Sequence, residues 1–144
     1  MERTNAMPLP GARRLAAQAR AEGHRFVDVL VDDWIEGENR FRQPGEAFFL
    51  ARAGSRLVAT CGLNRDRYAA DARVGRLRRL YVAPDWRRRG LARLLARAAL
   101  CAARSQFESV RLRTFSAEAS AFYLRIGFRP AGHAEATHEI DVAR

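Results

Sequence analysis

The chain reads as a single mixed α/β domain of the α+β type, with a central, mostly antiparallel twisted sheet flanked by helices. Three observations predict this. Apolar residues recur with helical spacing in some segments and alternate as in strands in others. A strand-helix-strand unit spans Val74 to Phe115, and two strands joined by a helical crossover lie parallel. The length of 144 residues, 48% of them hydrophobic, suits one core and is short for two, so residues 1–144 are taken as one domain.

The elements follow in order. Residues 1–10 are polar or proline-broken and are expected to be loosely ordered. A helix rich in Ala and Arg runs from Ala12 to Ala21 and ends near Gly23. A second runs from Arg25 to Glu36, with Phe26, Val27, Leu30, Val31, Trp34 and Ile35 as its apolar stripe and Gly37 as its stop. Ala47–Ala53 and Arg56–Leu63 read as strands joined by a hairpin turn at Ala53-Gly54-Ser55, with a polar loop from Asn64 to Arg73.

Val74–Val82 is the next strand, in which Arg76 and Arg78 alternate with Leu77. The helix Leu91–Arg104 turns Leu91, Leu94, Leu95, Ala98, Ala99 and Ala102 to the core and Arg93, Arg97 and Arg104 to solvent. Val110–Phe115 is a strand, Glu118–Ile126 a short helix closed by Gly127, and Phe128–Ala131 and Thr137–Val142 are closing strands. There is no internal repeat and no low-complexity tract.

Composition narrows the class of function. No apolar run approaches the roughly 18 residues of a membrane span, and the N-terminus lacks the apolar region of a secretory signal. A cytoplasmic protein without a membrane partner is expected. Cys61 and Cys101 match no metal-ligand spacing and read as reduced, buried small hydrophobes; no metal is expected. The net charge is +10, and all 26 basic residues are arginine. Guanidinium groups suit phosphate and carboxylate, so an anionic partner is implied without being identified.

The chemistry concentrates in LYVAPDWRRRGLARLL. A strand ends at Val82, a loop crosses Pro84 and Asp85, and a helix begins around Gly90. The first turn of a helix exposes unpaired N–H groups and carries partial positive charge, a ready site for a diphosphate. Gly90 permits close backbone approach, and Ala92 keeps the clearance. Arginines at 87, 88 and 89 oppose the helix dipole, which makes a merely solvated helix start a poor account of them.

Arg87-Arg88-Arg89-Gly90-Leu91-Ala92 resembles the R/Q-x-x-G-x-G/A signature of the GNAT superfamily of acetyl-CoA-dependent N-acetyltransferases. Leu80-Tyr81-Val82 resembles that family's splayed, bulged strand, and FYLRIGF at Phe122 to Phe128 its second hallmark. The resemblance covers roughly Ala47 to Arg129. It implies a GNAT-like fold in which the parallel pair splays apart. It further implies that main-chain groups of Leu80, Tyr81 and Val82 pair with the pantetheine arm of acetyl-CoA, and that Arg87, Arg88, Arg89, Gly90, Leu91 and Ala92 hold its pyrophosphate. Tyr123 aligns with the tyrosine that protonates the departing thiolate; a phenol is protonated at neutral pH, as that role needs. A core aromatic beside Phe122 is the alternative for it.

Two departures stand out. Ser116 occupies the place of a frequent cofactor-binding asparagine, and the central strand offers Arg76, Arg78 and Arg79 where the family often has a glutamate base. Glu46 is carried as the candidate base, with Asp66, His133 and His138 behind it, or the amine loses its proton to water. Asn39, Arg40 and Phe41 lie in a loop where the family places acceptor contacts; equally, Pro44-Gly45 makes a turn with Phe41 over the core.

The leading expectation is acetyl transfer from acetyl-CoA to a primary amine, of a small molecule or a peptide, by direct attack in a ternary complex. A basic nucleic-acid-binding module is the alternative, but no aromatic interleaving or recognition motif accompanies the arginines, so nucleic acid is not expected. A CoA-binding protein without catalysis is the third reading. The resemblance allows a homodimer, and no sequence feature decides it.

Overall fold

In the computed structural model, which describes residues 1–142, seven strands form one sheet and helices cover both of its faces. The elements are β1 (Glu2–Arg3), α1 (Leu9–Ala21), α2 (Phe26–Glu36), β2 (Ala47–Ala53), β3 (Arg56–Arg65), β4 (Val74–Val82), α3 (Leu91–Ala103), β5 (Ser109–Leu112), α4 (Ala117–Arg125), β6 (Arg129–His133) and β7 (Ala136–Asp141). The strand order is β1-β2-β3-β4-β5-β7-β6, and only β4 and β5 pair in parallel. No described helix is long and apolar enough to cross a membrane.

Several expectations are corrected. The opening residues, expected to be loose, carry an edge strand: Glu2 pairs with Leu50 and Arg3 with Phe49. Their polar character suits an edge, where side chains need no core. The core stripe of α3 is rotated from the one its leucines indicate: Leu95, Ala96, Ala99 and Ala103 are buried, while Leu94 is exposed. Ala96, Ala99 and Ala103 let α3 approach the sheet with Leu95 filling the core, and Leu94, one position round the helix, faces solvent. Ile35 of α2 is likewise exposed. Cys61 is buried but Cys101 is exposed; both are free thiols. β5 stops at Leu112, three residues short of the expectation, and Phe115 stands in solvent.

Two local devices shape the central strands. In β4, Arg78 pairs with Gly62 and Tyr81 with Thr60, so β4 spends three steps where β3 spends two. The surplus residue makes a bulge, with Arg79 at φ +59 and its carbonyl accepting from the Thr60 hydroxyl at 2.8 Å. Pairing of β4 with β5 covers only Val74–Ser109, Gly75–Val110 and Arg76–Arg111. Beyond Arg76 the two strands part, and β4 from Leu77 to Val82 has no strand on that side.

Two contacts hold α1 and α2 over this sheet. Phe41, itself at φ +54, fills the space above Gly62 and packs on Trp34 and Phe48, with centroids 6.2 and 5.3 Å away. At the end of α1, Glu22 accepts both Arg87 Nη atoms, at 2.8 and 2.6 Å, and the Tyr81 hydroxyl; Arg87 Nε donates to the Val82 carbonyl at 3.1 Å. The Arg87 hydrogen bonds hold the Glu22 carboxyl below its ordinary value.

A Cβ on Gly62 would lie 2.3 Å from the Phe41 ring, which Trp34 and Phe48 keep from moving. Gly62→Ala is therefore expected to cost about 2 kcal/mol, read as a lower urea midpoint with unchanged slope. Glu22→Gln is expected to cost about 1 kcal/mol, since the pair is partly exposed. Because the folded pKa of Glu22 is depressed, its contribution is present above the ordinary value of 4.5 and disappears as pH falls through the lower folded value. The difference in melting temperature between wild type and variant should be seen at pH 7 and shrink steadily below pH 4.5.

Candidate active site

Past Val82 the chain makes one 3₁₀ turn at Pro84–Trp86, which Arg56 anchors through a two-pronged contact with Asp85 at 2.6 and 2.8 Å. Gly90 then caps α3 at φ +81 and ψ 7, with no side-chain acceptor on the first turn and no acid in it. The leading N–H groups of α3 thus lack side-chain partners while carrying the positive end of the helix dipole. A Cβ at Gly90 would meet nothing within 4 Å, so the space here is open and glycine is required by its backbone angle rather than by crowding. That refines the close-approach reason read from the sequence.

The three arginines do not act alike. Arg87 is a strut, committed to Glu22 and Val82. Arg89 lies on the Trp86 ring at 4.4 Å, and Arg88 makes no ion pair among the described residues. Arg88, Arg89 and the N–H groups from Gly90 to Ala92 are the groups left for an anion. The Val82 carbonyl is occupied by Arg87, which narrows the expected main-chain contacts to the rest of the Leu80–Val82 edge.

Tyr123 sits where β4 and β5 part. Its neighbours include Cys61 on β3 and His138 on β7, the strands next outward from β4 and β5, and the His138 ring is 6.2 Å away. Ser116 starts α4 by accepting from Ala119 N at 3.1 Å, and α4 ends in a left-handed turn at Gly127 that lets Phe128 N reach the Tyr123 carbonyl at 3.0 Å. Phe122 and Phe128 pack edge-on at 5.2 and 5.4 Å. Burial raises the phenol above its ordinary range, so it stays protonated, and its hydroxyl has no protein hydrogen bond among the described residues. The nearby Cys61 is pushed up to about 12 by burial and is a neutral thiol.

The other face of the sheet carries a polar cavity of about 490 Å³ between α2, residues 39–46 and the β3–β4 pair. Its loop is held by its own side chains. Asn39 and Asn64 exchange hydrogen bonds at 2.9 and 3.0 Å, and Asn39 also accepts from Phe41 N. Glu46 accepts from Asn64, Arg65 N and Gln43 N at 2.9, 3.0 and 3.1 Å. The candidate base is thus a clasp with three donors on its oxygens rather than a free proton acceptor. Arg40 donates to the carbonyls of Trp34 and Ile35, capping α2, and Phe41 is core. Of the three residues expected to meet an acceptor, Asn39 and Arg40 line the cavity with structural duties, and Phe41 is out of reach.

The remaining base candidates are also engaged. His138 is buried with both ring nitrogens within 2.8 Å of hydroxyls, those of Ser120 and Thr137. His133 is exposed beside Glu139 at 3.8 Å. Asp66 is 1% exposed, between Arg76 at 3.7 Å and Arg111 at 4.0 Å. Among the described residues no group of three His, Cys, Asp or Glu side chains is placed to hold a metal. Sequence reasoning missed Glu22, Thr60 and Asn64. Each acts on a partner at least 18 residues away, and no local pattern marks such residues.

Comparison with known proteins agrees with this geometry. The family model described as Acetyltransferase (GNAT) domain matches residues 44–130, from the clasp loop to the start of β6. An acetyltransferase candidate from Exiguobacterium sp. 255-15 superposes with a TM-score of 0.83 at 26% identity, over 97% of this chain and 91% of that one. An acetyltransferase of the GNAT family from Staphylococcus aureus Mu50 gives 0.76 at 15% identity, over 98% of each chain. The GNAT family N-acetyltransferase YhbS from Escherichia coli, solved in complex with CoA, gives 0.70 at 18%, over 99% of this chain and 80% of that one. No curated protein sequence matches significantly. With the bulged and splayed strand, the uncapped helix start and the buried tyrosine all inside or beside the matched span, the chain belongs to the GNAT acetyltransferase family.

Proposed function

We propose that the chain moves an acetyl group from acetyl-CoA to a primary amine by direct attack in a ternary complex. One observation carries the reading. The unpaired edge of β4 runs from the bulge at Arg79 to the bare N-terminus of α3, and an unpartnered, protonated phenol, Tyr123, stands at the gap. An extended amide-bearing arm suits such an edge as an added strand would, and a diphosphate suits the helix start with Arg88 and Arg89. The thioester supplies an activated acyl carbon.

The protein's own part is to position, polarise and move protons. The amine nitrogen forms its bond to the acyl carbon and the carbon–sulfur bond breaks. The thiolate takes the Tyr123 proton, and the attacking nitrogen gives one up to water in the open cavity, since Glu46 is tied into its clasp. Tyr123 then regains its proton from solvent. Cys61 is neutral and buried, which supports direct transfer over an acyl-enzyme.

Tyr123→Phe should lower kcat about 100-fold with acetyl-CoA affinity changed less than about twofold, measured by thiol release and calorimetry. An unchanged kcat across pH would remove the general acid. Gly90→Ala forces a Cβ into a left-handed position and should weaken acetyl-CoA binding by about tenfold. Titration with a generic oligonucleotide at physiological salt is expected to show no comparable affinity; tight binding to it alone would sink the proposal.

A further inference from the structure

The cavity on the α2 face holds an unbalanced set of charges. Arg65, Arg67, Arg76 and Arg78 reach its wall, and the acids there without a side-chain hydrogen bond or ion pair among the described residues are Glu38 and Asp33, whose charge is felt by Arg67 and Arg78. Arg40 and Arg42 also line it but are spent on backbone carbonyls, Arg42 on Asn5 at 2.6 Å. The Arg78 side chain makes no hydrogen bond or ion pair among the described residues. Arg76 is 8% exposed, and its Nη1 is buried without a hydrogen-bond partner, 3.7 Å from the nearest carboxylate oxygen.

Such a cluster is uncomfortable. Burial, then the neighbouring charges of Arg67 and Arg76, bring the Arg78 guanidinium below its ordinary value, and burial does the same to Arg79, down to about 10; the charge of Asp33 offsets this only in part. Buried cations normally carry a counter-charge. Solvating water alone does not explain why the guanidinium groups of Arg76 and Arg78 on β4 and of Arg67 just past β3 are gathered here with one buried carboxylate, Asp66, beside them. A bound anion would relieve the repulsion. Arg78 directly precedes the bulge residue, so an anionic group held there keeps the rest of a short molecule beside the point where β4 and β5 part.

We infer that this cavity is the acceptor site and that the acceptor is a small amine carrying a carboxylate or phosphate group, held by Arg67, Arg76 and Arg78. The inference rests on the acetyl-transfer reading and adds the substrate class to it. The cavity volume is in the range of small-molecule sites. The bonds made and broken are those already given; only the anchor of the amine is new.

The test compares matched amines with the full chain and acetyl-CoA, reading thiol release. L-glutamate and O-phosphoethanolamine are the anionic probes, ethanolamine the neutral one and putrescine the cationic one. Values of kcat/KM for an anionic probe are expected to exceed those for putrescine at least about tenfold. Arg78→Gln should lower the anionic value by about tenfold through KM, with acetyl-CoA affinity intact. The relative values of the two anionic probes tell carboxylate from phosphate.

Putrescine used as well as or better than the anionic amines would overturn the inference while leaving acetyl transfer standing. So would an Arg78→Gln enzyme with unaltered preference. Should no probe turn over, calorimetry of the two anionic probes against the CoA-saturated protein decides. Binding that Arg78→Gln abolishes supports the assignment, and no binding ends it. Failure to bind acetyl-CoA at all would instead end the transfer reading, and the acceptor assignment with it.

Discussion

Everything that distinguishes this sheet from an ordinary mixed one follows from a surplus residue in β4 and an early end to its pairing with β5. The extra residue turns Arg79 into a left-handed conformation that the Thr60 hydroxyl must satisfy. The three parallel pairs at Val74, Gly75 and Arg76 then give way to an unpaired edge. A row of backbone donors and acceptors in the middle of a domain is normally filled by another strand, because leaving such groups unpaired is costly. Here the next strand veers off to pair with β7 instead. The helix start of α3 and Tyr123 are arranged around that opening.

Much of this was legible in the residues. The periodicity from 91 to 104 marks α3, and Val74 to Phe115 marks a crossover that has to be parallel. Arg87 to Ala92 and FYLRIGF point to the cofactor end before any coordinates. What was not legible is instructive in each case. Arg87 looks like a phosphate ligand because it sits in the run, yet Glu22, 65 residues away, claims its fork. Phe41 could be read either as an acceptor contact or as a cover for the core, and it is the glycine at 62, far along the chain, that decides for the core by leaving room for its ring. Glu46 looks like a free carboxylate, but its oxygens tie the loop that it closes. Long-range pairing decides such matters, and a linear pattern carries no record of it.

The arginines divide by environment rather than by type. On the outer surface they meet carboxylates in pairs such as Arg56 with Asp85 and Arg73 with Asp71 and Glu108, of small energetic consequence. On the sheet they are placed where the desolvation cost is high and counter-charge is scarce. Arg76, Arg78 and Arg79 fill a strand of which the bulge also forms part. Cationic groups thus stand on the side of the sheet opposite Tyr123, and the two faces offer different chemistry to whatever enters from each.

The brevity of the β4–β5 pairing has a mechanical consequence. The strands β1 to β4 and β5 to β7 form two half-sheets stitched by three residue pairs, so the seam between them is short for the size of the sheets it joins. An extended molecule lodged in that opening would lengthen the stitching with its own amides. It would act as a structural member as much as a reagent, and by mass action its concentration would set how firmly the two halves hold together.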